Sequence, residues 1–240
     1  MGFRDRIDSV KIEFERTKGR RNRRPFCFAR AKFAYMLPAV KLPHGLTGLL
    51  IATSFAAGLN LYATVATLGL LAHYHVLLLP PGLEVLNNWY IIGASTALFA
   101  VEFFADKIPA FDLIWNALHT FIRVPVAGLI AYRATATLSP VEQLIATLAG
   151  GAIALAAHGG KTAVRAAVTP SPEPVSNMVL SFGEDAFAIF ITWFATHHPY
   201  IASAIVLTLV VVIVFLVRWV VKSLRALFRG AENELVHQGP

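Results

Sequence analysis

Residues 46–221 form a succession of long apolar runs separated by short breaks, most of which contain proline. No other feature restricts the chain as much. About 20 apolar residues are needed to cross a bilayer core as a helix, and six runs approach that length, at 46–72, 88–106, 111–137, 140–167, 176–196 and 199–221. Lipid offers no partner for backbone N–H and C=O groups, so each run must satisfy its own backbone. The pattern predicts an all-α, polytopic membrane helix bundle of about six transmembrane helices. Residues 44–222 are expected to form one transmembrane domain, preceded by a basic cytoplasmic segment at 1–43 and followed by a cytoplasmic tail at 223–240. Pro125 falls inside the third run, where it removes a backbone donor and crowds the preceding turn. That helix is expected to be kinked or broken there.

Composition agrees with a membrane class. The chain is 56% hydrophobic and only 15% charged, against about 25% charged in soluble domains. A single cysteine, Cys27, excludes a disulfide framework or a cysteine metal cluster within one chain. The net charge of +7 is unevenly placed: residues 1–43 hold twelve of the 21 Lys and Arg. Within them Phe3, Ile7, Val10 and Phe14 recur at helical spacing, so an amphipathic helix can lie on an anionic leaflet there. The loops at 73–87, 138–139 and 197–198 contain no Lys or Arg. An even number of crossings would then put both termini in the cytoplasm by the positive-inside rule. The basic charge is read as topology and membrane-surface charge, with no nucleic-acid partner.

Polar groups recur on one face of five of the six runs. Thr53, Asn60, Thr64 and Thr67 share a face of the first, and Glu102 and Asp106 a face of the second. Asp112, Trp115, Asn116, His119 and Arg123 lie within one arc of the third. His158 and Arg165 lie on the polar face of the fourth, close to Lys161 at its basic end. Asn177, Ser181 and Glu184 do so in the fifth, with Asp185 at the border. Such faces are satisfied only by turning toward one another or toward a wet cavity. Asn60, Glu102, Asp106, Lys107, Asp112, His119, Arg123, His158, Lys161, Asn177, Ser181, Glu184 and Asp185 therefore make up the candidate polar site. The sixth run is almost free of polar groups and is expected to form an outer wall.

The chemistry of such a site points to transport of a small solute or ion, with Glu102, Asp106 and Glu184 as carriers. The alternative is a membrane scaffold or assembly factor docking a partner on its cytoplasmic turns at 105–115 and 168–176. An intramembrane lipid enzyme using Asp112, His119 and Arg123 comes third. No zinc signature, nucleophile elbow or phosphate loop is present, so no catalytic residue and no cofactor is assigned, and a metal is left open. Two internal duplications are compatible with the runs. One is a parallel pair of hairpins at 88–137 and 140–196; the other is an inverted relation between the first three and last three runs. A homo-oligomer is also compatible.

Several short motifs occur together: G-L-N at 58–60, L-P-P-G-L-E at 79–84, E-F-F-A-D-K-I-P at 102–109, H-T-F-I-R at 119–123, S-P-E-P-V-S-N at 171–177 and S-F-G-E-D at 181–185. In combination they resemble an uncharacterised family of bacterial integral-membrane proteins, one of the families grouped as domains of unknown function. The resemblance covers about residues 46–200. It implies a multi-pass protein of the bacterial inner membrane and brings no substrate or activity with it.

Overall fold

The computed structural model describes residues 45–106, 109–168 and 174–237. The amphipathic helix expected over 3–14 lies outside them. Every regular element among the described residues is helical. In chain order these are α1 (Leu46–Leu59), α2 (Leu61–His73), a short 3-10 helix (Pro81–Asn87), α3 (Trp89–Ala105), α4 (Pro109–Ala134), α5 (Pro140–Val168), α6 (Pro174–His197) and α7 (Pro199–His237).

The first expected crossing is not one helix. Asn60 adopts an extended conformation, φ −145° and ψ 105°, which ends α1. Its side-chain oxygen then accepts from the Ala63 N–H at 2.9 Å and caps α2. One asparagine thus stops one helix and starts the next.

The two arms also run in opposite directions. Gly48 lies against the Pro199 backbone and Gly58 against Ala154, while Ala52 and Ala56 share a core cluster with Ala202 and Val206. Residue numbers rise together along all three helices, so α1 is parallel to α5 and α7. In α2, Tyr62 bonds His119 at 3.1 Å, and Leu68 lines a small void together with Ile130, so α2 is parallel to α4. Helices α4 and α5 are antiparallel neighbours: Ala131 near the end of α4 lies against Gly150 in the first half of α5. It follows that α1 and α2 form an antiparallel hairpin that enters and leaves at the same end of the bundle, and Leu50 and Leu68 line the same void.

This replaces the expectation of a single helix over 46–72. Residue 45 lies at the end where α7 begins, opposite the end that Trp219 approaches.

Helix α1 is the centre of the bundle. Ten of its fourteen residues are buried, and α2, α4, α5, α6 and α7 all pack on it. A helix enclosed on every side has no amphipathic stripe to read. Its small residues permit close crossings. A Cβ at Gly58 would collide with the Ala154 carbonyl.

Of the kink or break expected at Pro125, the break does not occur: α4 is a continuous α-helix of 26 residues. Pro125 and Phe121, whose carbonyl loses its donor, both lie on the exposed face. The gap in the hydrogen-bond ladder thus faces away from the packed helices. Three segments are long and apolar enough to cross a membrane: Pro140–Arg165 of α5, Met178–His197 of α6 and Pro199–Trp219 of α7. Helices α1, α2 and α3 are shorter apolar helices. Helix α7 buries Ala202 and Val206 and leaves Ile201, Val211 and Phe215 exposed, the one-sided packing of an outer wall. It continues through most of the expected tail, to His237.

Candidate functional site

The tip of the hairpin ends inside a cluster of buried charges. At about 1.5 Å per helical residue, the 14 residues of α1 carry Asn60 about 20 Å into the bundle. Counted from the same end, Glu102 lies about 20 Å along α3, Arg123 about 17 Å along α4 and Asp185 about 18 Å along α6. These side chains meet at one level because their helices place them at one depth.

Arg123 and Glu102 pair directly, both with fully buried side chains. Arg123 Nη1 also donates to His158 Nδ1 at 3.1 Å. A guanidinium only donates, so Nδ1 accepts, and Nε2 carries the proton toward Thr120 Oγ1 at 2.7 Å. His119 has two partners of its own. Its Nδ1 donates to the Trp115 carbonyl at 2.8 Å, and its Nε2 shares a hydrogen bond with the Tyr62 hydroxyl at 3.1 Å.

A second set of pairs lies closer to the far end of the bundle. Asp106 Oδ2 accepts from Arg165 Nη2 at 3.0 Å and from Lys161 Nζ at 3.2 Å, with Ser181 Oγ at 3.5 Å. The same two cations reach Glu184 Oε2, Arg165 at 2.8 Å and Lys161 at 3.2 Å. Glu184 is the outermost member, with 13% of its side chain exposed.

The hairpin tip joins these pairs through both of its helix ends. The C-terminal end of α1 carries partial negative charge, and its Leu59 carbonyl accepts from Lys161 Nζ at 3.3 Å. The N-terminal end of α2 carries partial positive charge, and its cap Asn60 donates through Nδ2 to Asp185 Oδ1 at 2.8 Å. The C-terminal end of α1 thus meets a cation, and the N-terminal end of α2 meets a carboxyl group.

Of the candidate site, the structure brings together Asn60, Glu102, Asp106, Arg123, His158, Lys161, Ser181, Glu184 and Asp185, with His119 alongside through Tyr62. Lys107 and the side chains of Asp112 and Asn177 lie outside the described residues, as do 107–108 and 169–173 of the docking turns expected at 105–115 and 168–176. Asp185, placed by periodicity at the border of the α6 stripe, is in fact buried and holds the tip. Arg165 belongs to the cluster itself.

Tyr62, Thr120 and the Leu59 carbonyl are additions that periodicity does not reveal. Tyr62 and Leu59 become visible only once the chain is known to break at Asn60, and an Asn following Gly-Leu in an apolar run is the signal that marks it. Among the described residues no three His, Cys, Asp or Glu side chains gather as metal ligands; the paired carboxylates face Lys and Arg. A cavity of about 60 Å³ between α1, α4 and α5 is lined by Leu50, Ile51, Ala131, Ala146 and Ile153, with no charged group of the cluster on its wall.

Residues 47–219 match a protein family described as Domain of unknown function (DUF4126). No curated protein and no solved structure matches the chain.

Proposed function

We propose that this chain, which belongs to the DUF4126 family of unknown function, is an integral membrane protein that moves a small solute or ion past the tip of a re-entrant helical hairpin. The observation that carries the reading is the helix break at Asn60 inside a buried ionic cluster. Non-helical backbone at membrane depth persists only where protein or a water-filled path surrounds it. In secondary transporters, interrupted helices of this kind supply the ends that hold substrate and coupling ions. Here α1 reaches about two thirds of the way through a core of about 30 Å. Helices α3 to α7 are the five crossings in this reading, and Lys161, Arg165 and Arg218 lie toward the cytoplasmic face. The lipid-enzyme alternative loses ground because Arg123 is occupied by Glu102 and His158.

The test is solid-supported-membrane electrophysiology on the full chain in proteoliposomes, with alkali cations, amino acids and small carboxylates offered in turn. A current is expected for one class, and Glu184→Gln is expected to abolish it without loss of assembly. No current for any class, or one unchanged in both Glu184→Gln and Asp106→Asn, would reject the reading.

A further inference from the structure

We infer that Asp185 is a proton-binding site, and that H⁺ is the coupling ion of the transport reading on which that role rests. The cluster contains four carboxylates, Glu102, Asp106, Glu184 and Asp185, against three cations, Arg123, Lys161 and Arg165. His158 accepts from Arg123 as a neutral ring, and His119 faces the Tyr62 hydroxyl and the Trp115 carbonyl, not a carboxylate. Among the described residues carboxylates thus outnumber Lys and Arg by one in this cluster, and the pairing shows which carboxylate is left over. Glu102 is matched by Arg123, and Asp106 and Glu184 are matched by Lys161 and Arg165. Asp185 is the buried carboxylate with no ion pair among the described residues. Its Oδ1 takes the Asn60 amide, and its Oδ2 has no hydrogen-bond partner there.

Among the described residues no other side chain packed on α6 supplies Asp185 with a countercharge. Helices α1 and α2 bring Asn60 and Tyr62, and α7 brings aliphatic side chains. Helix α3 brings Glu102 and Asp106, further negative charge, while the α5 cations Lys161 and Arg165 are engaged with Asp106 and Glu184, the latter beside Asp185 on α6 itself. An isolated carboxylate in such a place is costly as an anion and is neutralised by taking up a proton. A carboxylic acid at Asp185 still accepts from Asn60 through its carbonyl oxygen and keeps the tip in place. Release of the proton puts a full negative charge against the N-terminal end of α2, which ties proton occupancy to the position of the hairpin.

Infrared difference spectroscopy on the full chain in nanodiscs tests this during a pH jump. The wild type is expected to show a protonated-carboxyl band that disappears on alkaline titration, is absent from Asp185→Asn and persists in Glu84→Gln, a change at an exposed carboxylate. If Asp185→Asn does not fold, the wild-type band must shift when the chain carries ¹³C-labelled aspartate and stay put with labelled glutamate. Absence of the band in the wild type, its persistence in Asp185→Asn, or its response to sodium in place of pH would overturn the assignment. A band without any solute current would reject transport and leave the proton site standing. A current without the band would do the reverse.

Discussion

Arg123 illustrates how much a single pair contributes here. Its guanidinium and the Glu102 carboxylate are fully buried, and removing one partner of such a pair leaves an uncompensated charge, at a cost of about 3–5 kcal/mol. Arg123→Leu should therefore destabilise strongly, and the double change Arg123→Leu with Glu102→Leu should recover most of the loss. Thermal unfolding midpoints of the detergent-solubilised chain read this directly; equal midpoints for the single and double variants would contradict the pairing. The residue types of this cluster were legible in the sequence, because ionisable groups in apolar runs stand out. Their pairing was not, since it depends on which helices are neighbours. Asp185 shows the limit clearly: periodicity put it at the edge of a stripe, whereas contact with Asn60 makes it central.

At the scale of an element, the hairpin depends on Asn60 as cap and on Gly58 as crossing point. Loss of an asparagine cap costs about 0.5–2 kcal/mol, and Asn60→Ala also removes the bond to Asp185. It should lower the unfolding midpoint by several degrees while the chain still folds. Gly58→Val should be worse, since a branched side chain would meet the Ala154 backbone, and folded yield is the readout. Pro125→Ala should raise the unfolding midpoint slightly, because it returns a donor to the Phe121 carbonyl on an outward face where lipid supplies none. The contrast between positions 60 and 125 explains why helix ends were harder to read than helices. Proline is the louder signal, yet an exposed helix face tolerates it. Asparagine is quieter, but at Asn60 it satisfies the backbone of two helices at once, and the chain turns there. Length alone misled as well, because two arms of 14 and 13 residues together fill the span of one crossing.

For the whole molecule, α1 and α2 enter and leave at the same end of the bundle with a tip held by buried charges, and the proposed transport reading rests on five crossings around them. The helical class and the polar site were legible because both follow from composition and periodicity, whereas a hairpin and a crossing have the same hydropathy. Single-cysteine labelling separates them. In a Cys27→Ser background, Thr47→Cys, Tyr74→Cys and Lys222→Cys all place the thiol at exposed positions. A membrane-impermeant maleimide should reach Thr47→Cys and Tyr74→Cys from one face of the membrane and Lys222→Cys from the other. Labelling of Thr47→Cys and Tyr74→Cys from opposite faces would contradict the hairpin and restore six crossings.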